Sequence, residues 1–130
     1  MKRAFFAAAM LGVLGFAVGV PVSAHHSFAA TYFEDQTTKI EGDLVQFQFR
    51  NPHSYVHLEV ADGEGVTRRW TIEWGSGMQL STQGLTATTF KVGDHVIVTG
   101  APGRDPEDRR LRMRSIERPK DGFKWNGTFQ

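Results

Sequence analysis

The 130-residue chain has no cysteine, which excludes disulfides, thiol nucleophiles and every thiolate metal site. A small domain without bridges must hold together by packing, and any metal must be met by imidazole, carboxylate or a terminal amine. An excess of charge of one sign is lacking too. Fifteen Lys and Arg face 14 Asp and Glu, a balance that argues against bulk attraction to nucleic acid or anionic membranes. No phosphate-binding loop, dinucleotide fingerprint, internal repeat or low-complexity stretch occurs.

The one long apolar run is at the start. Met1-Lys2-Arg3 is a short basic region, Ala4 to Val20 is apolar, and Pro21 precedes the small residues Val22-Ser23-Ala24. The run is short for a membrane span and ends in Pro and small residues instead of a charged stop. The expectation is an export signal over residues 1–24, cut after Ala24, with a periplasmic or secreted product and no stable membrane insertion after cleavage. The 106 residues that remain are enough for one small domain. They carry 13 basic and 14 acidic residues, although the part from Ala101 onward is locally basic at +3.

From Lys39 onward, short alternating runs are separated by turn residues, the pattern of an all-β barrel or sandwich. Ile40 to Phe49 reads as a long first strand whose inward phase slips at Leu44–Val45, which predicts a bulge. Asn51-Pro52-His53-Ser54 is a turn, and Tyr55 to Val60 alternates with Val56, Leu58 and Val60 facing inward. Val66 to Trp74 forms a third strand after the "ADGEG" hairpin loop, and Ser76 to Gly84 has the caps of a short helix. His95 to Thr99 and Leu111 to Arg118 follow as two further strands. Three strands, a short helix and two strands predict a five-stranded Greek-key barrel of the OB type, with a small sandwich as the alternative. The expected organisation is a signal at 1–24, an extended segment at 25–38, the barrel at 39–122 and a tail at 123–130.

His25-His26-Ser27-Phe28, Asn51-Pro52-His53, Trp70 with Glu73, and Val92-Gly93-Asp94 resemble, in their order and spacing, a family of small exported bacterial proteins catalogued as domain of unknown function 6152. The resemblance spans His25 to about Gly122. It implies export and a small β-barrel, and it carries no established activity.

Cleavage after Ala24 would leave a free amine on His25. That amine and the ring Nδ1 can chelate one cation, and a further imidazole would complete a T-shaped brace suited to Cu(II). Copper is therefore the one cofactor considered. His26, His53, His57 and His95 are possible partners, and Tyr55, Tyr32 or Glu34 could complete the set. On one regular strand His53 and His57 would lie about 13 Å apart, so they compete for the role and do not share it. The bland alternative is a solvated His-His start, with His57 and His95 as exposed strand residues. Phe28, Tyr32 and Phe33 weigh against simple disorder, since they give the segment something to dock with.

Other chemistry is weaker. Ser54 lies on no nucleophile elbow, and Asp43, Glu59 and Glu73 are carboxylates that chance supplies in a β protein. Trp70, Trp74, Phe47 and Phe49 with Arg68, Arg69, Arg112 and Arg114 could bind a nucleic acid strand. Net charge and export argue against that, and Arg112 and Arg114 read first as a solvated strand face. The expectation is a binding protein and not an enzyme, with metal at His25, His26, His53 or His57. An aromatic cleft around Tyr55, Trp70 and Trp74, holding a partner protein or small ligand without metal, is the alternative. A copper-dependent oxidative enzyme ranks third.

Overall fold

The computed structural model describes residues 28–129, so the expected export signal, His25 and His26 lie outside the described residues. A helical turn, α1 (Phe28–Thr31), leads to strands β1 (Thr38–Gln48), β2 (Tyr55–Ala61) and β3 (Thr67–Glu73). A short helix, α2 (Gly77–Ser81), precedes β4 (His95–Pro102), β5 (Arg110–Arg118) and β6 (Phe123–Asn126). Among the described residues no helix is long and apolar enough to cross a membrane.

Strand β1 alternates Ile40, Gly42 and Leu44 inward, and its pairing with β2 then slips between Leu44 and Gln46. The extra residue is Val45, where the hydrophobic phase changes. A strand that must first face β4 and then bend to follow β2 needs that added twist. Gly42 and Gly100 occupy strand crossings so close that a Cβ would strike the carbonyl oxygens of Glu59 and Arg112.

β1 pairs antiparallel with β2 and with β4, β2 with β3, and β4 with β5. Parallel pairing of β3 with β5, through Thr71↔Arg110, Ile72↔Leu111 and Glu73↔Arg112, closes the ring. The circuit β1-β2-β3-β5-β4, with a helix between β3 and β4, is the OB topology. α2 starts where expected: Ser76 accepts from the Gln79 amide, and the Gln79 side chain accepts from the Ser76 amide, a reciprocal cap.

Residues 123–130, expected as a tail, include a sixth strand. β6 pairs with β5 outside the closed ring, and Trp125 packs edge-on against Trp74 with ring centroids 4.9 Å apart. Its indole nitrogen donates to Gln83 Oε1 at 2.5 Å. Residues 25–38 were expected to be extended. Their described part instead begins with α1 and returns through a bridge between Tyr32 and Gly103.

The Lys91–Asp94 turn ties three parts of the barrel together. Gly93 takes the left-handed φ of 89° that a side chain would oppose. The Leu44 amide at the bulge donates to the Asp94 carbonyl at 2.9 Å. The Asp94 carboxylate is buried and accepts from the Lys91 amide, from Arg118 Nη1 and from Lys120 Nζ. Burial opposes its charge, yet the bonds from Lys120, the Lys91 amide and Arg118 outweigh that and hold its pKa down to about 2. A carboxylate whose folded pKa lies below its ordinary 3.8 stabilises the fold above about pH 4 and loses that contribution as pH falls toward 2. Asp94→Asn should cost on the order of 2 kcal/mol at pH 7 by removing charge-assisted bonds. Urea unfolding should show a smaller difference between variant and parent at pH 3 than at pH 7.

Candidate functional site

The turn between β1 and β2 is fixed by its backbone. Asn51–Pro52 is cis, and Asn51 Oδ1 accepts from the Met78 amide at the start of α2. Ser54 is fully buried; its amide donates to the Gly75 carbonyl and its own carbonyl accepts from the Trp74 amide, both at 2.9 Å. Its hydroxyl also bonds the Arg50 backbone. His53, held between these anchored neighbours, projects onto the outer face of the barrel wall beside the end of β3.

There it meets Glu73. This residue lies on the polar phase of β3 and would normally face water, yet it is 8% exposed. Its two oxygens are used by different partners: Tyr32 Oη donates to Oε2 at 2.5 Å, and His53 Nδ1 bonds Oε1. A carboxylate acceptor at Nδ1 selects the tautomer with its proton there and leaves Nε2 with a free lone pair. Tyr32, carried by the N-terminal segment, is itself only 1% exposed. Burial first, and then the bond and charge of Glu73, push its phenol far above the usual range, so it stays a donor.

The segment over this pair is clasped by arginines of β5 and of the loop before it. Arg112 lies over the Phe28 ring at 3.4 Å and pairs with Glu34 at 2.9 Å. Arg114 donates to the Gln36 carbonyl and to Thr37 Oγ1, and Arg104 donates to the Ala29 carbonyl while covering Phe33. Arg112 and Arg114 are therefore not a solvated strand face; they bind the chain that crosses them. Phe28 in turn stacks on His53 with ring centroids 5.9 Å apart. His53 lines both a narrow space of about 40 Å³ and a wider cleft of about 400 Å³.

The other sequence candidates lie elsewhere. His57 is on the outer face of β2, with Nδ1 on Thr71 Oγ1 at 3.2 Å and Nε2 buried without a partner among the described residues. Burial, then Arg69 and Arg50, push its pKa down. Neither ring nitrogen is offered to solvent, so His57 does not compete with His53 in this arrangement. His95 bridges Asp43 at 2.7 Å and Glu41 at 2.8 Å with its two nitrogens, and those acceptors raise its pKa. Among the described residues no group of three or more His, Asp or Glu could hold a metal ion.

Tyr55, Trp70 and Trp74 do not form one cleft. Trp74 is core, packed against Trp125, Phe47 and Phe90. Trp70 lines a separate cleft with Phe33 and Pro102, and Tyr55 lies on the outward phase beneath Arg50. Strand alternation places Tyr55 opposite in phase to Trp70 and Trp74 across the β2–β3 pair. The sequence pattern missed the pairing of Glu73 with Tyr32 and His53. Only the closeness of Glu73 to the end of β3 hinted at it, since nothing in the sequence shows that a polar-phase residue will be covered.

No curated protein matches this sequence. A mitochondrial single-stranded DNA-binding protein from S. cerevisiae is similar in structure at 14% identity, over 63% of this chain and 91% of that one, with a TM-score of 0.47. That finding corrects the expectation that nucleic acid is excluded as a partner. The likeness itself assigns no ligand. A family model described as Family of unknown function (DUF6152) matches residues 14–112, and the chain belongs to that family.

Proposed function

We propose that this chain is an exported binding protein, not an enzyme, whose mature amino terminus at His25 joins His53 in holding Cu(II). The observation that carries the reading is the buried Glu73 behind His53. A ligating imidazole characteristically donates its other nitrogen to a carboxylate, which fixes the tautomer and raises its basicity. Glu73 supplies that carboxylate, and Tyr32 fixes the far oxygen, so the ring is aimed before any ion arrives.

The chain length is compatible. Phe28 stacks on His53, and His25 precedes Phe28 by three residues, a span of at most about 10 Å. The amine and ring of His25 with Nε2 of His53 make three nitrogen donors, a set that favours Cu(II) over the other common divalent ions. His26 is the competing terminal imidazole.

Protein beginning at His25 and a twin extended by Gly-Ser before it should differ on Cu(II) titration, the twin binding more weakly with a changed visible absorption spectrum. Equal affinity and identical spectra would remove the brace. In the native-terminus protein His53→Ala should lose affinity while His57→Ala should not. Glu73→Gln should lower Cu(II) affinity by about 10- to 100-fold, the usual effect of removing a carboxylate behind a ligating His, with far-UV circular dichroism unchanged. Full Cu(II) affinity in Glu73→Gln would count against His53 as the ligand.

A further inference from the structure

The cleft beside His53 contains a second feature that copper binding does not require. It is lined by Arg50, Tyr55, Glu73, Arg110 and the Pro52–His53 turn, and its volume of about 400 Å³ falls in the range of small-molecule sites. From the presence of both Arg50 and Arg110 in the lining of this cleft, we propose that it binds a small molecule through an oxyanion, a carboxylate or phosphate group. The proposal is independent of the metal reading.

Arg50 and Arg110 differ from every other arginine among the described residues. Arg68, Arg69, Arg112 and Arg118 are ion-paired, and Arg104, Arg109 and Arg114 donate to backbone carbonyls. The guanidinium groups of Arg50 and Arg110 have neither kind of acceptor among the described residues. Residues 1–27 contain no Asp or Glu, so no side chain there can supply a carboxylate. The one carboxylate in the cleft, Glu73, already accepts from Tyr32 and from His53.

Both guanidiniums rest on aromatic faces, Arg50 on Tyr55 at 5.1 Å and Arg110 on Tyr32 at 5.9 Å. A guanidinium lying on a ring is held in orientation while its in-plane N–H donors remain free, and that fork fits two oxygens of one anion. The positive field on this face also reaches His57, where Arg69 and Arg50 add to burial in lowering its pKa. Two cations facing one committed carboxylate leave a positive cleft, and a small oxyanion completes it.

The test is an NMR titration of isotope-labelled protein, purified as the cell produces it, with benzoate and separately with inorganic phosphate, at low ionic strength without added metal. Saturable shifts at Arg50, Tyr55 and Arg110 with either probe are expected, and the better probe identifies the anion as organic carboxylate or inorganic oxyanion. Arg50→Gln and Arg110→Gln should each weaken binding by about tenfold or more, as expected for loss of a charge-assisted bond. Arg68→Gln should not weaken it. If Arg110→Gln does not fold, Arg110→Lys keeps the charge without the fork and should still weaken binding. No saturable shift with either probe, or equal weakening by Arg68→Gln, overturns the proposal. So does a single-stranded oligonucleotide that shifts the same residues at lower concentration than both small anions, since the ligand would then be a nucleic acid.

Discussion

Tyr32 and His53 share the carboxylate of Glu73, and this interaction joins parts of the chain that the barrel alone leaves separate. Tyr32 belongs to the segment before the first strand, His53 to the turn after it, and Glu73 to the end of β3. A carboxylate this deeply covered needs its hydrogen bonds, because a buried acceptor left without a donor costs about 1–3 kcal/mol or more. The N-terminal segment therefore cannot lift off without exposing Glu73 to water or leaving it unpaired. Through the same bond His53 acquires a fixed tautomer and direction. Docking of the segment and preorganisation of the imidazole are two results of one contact.

The arginines extend this arrangement. On a barrel whose strands alternate, the outward phase of β5 would be expected to meet solvent, but Arg112 and Arg114 bind the chain that crosses them. Phe28 is held between Arg112 and His53, which brings the chain's first described residue to the imidazole. On the other side of His53, Arg50 and Arg110 flank an open cleft. Net charge near zero conceals this distribution, because the balancing carboxylates at Glu34, Asp94 and Asp121 are spent on other arginines. Local arrangement, not the total, decides which partners such a face attracts.

The barrel was legible in the sequence because burial repeats with the period of a strand. Val56, Leu58, Ile72, Val96 and Val98 are fully buried where alternation puts them, and the change of phase at Val45 marked the bulge before any pairing was known. Ser76 with Gln79 announced the helix through a local cap. β6 was not legible, since four residues give too little alternation and Trp125 finds its partner, Trp74, about fifty positions away. The aromatic cleft failed for a related reason. Tyr55 and Trp70 lie on paired strands, but opposite phases send their side chains to opposite faces of the wall.

Composition and local pattern by themselves determined that this chain is a cysteine-free β-barrel with one capped helix, in which no metal can be met by thiolate. Those properties follow from residue chemistry and from repeats of two or three positions, which neighbours along the chain set. The choice among the histidines belonged to the tertiary structure. His57 and His95 look as available as His53 in the sequence; in the fold, Thr71 and burial occupy the first, and Asp43 and Glu41 the second. Among the described histidines, only His53 has a buried carboxylate behind Nδ1. That difference rests on contacts across 20 and 41 residues of sequence, and polar groups carry no periodic signature of which partner will cover them.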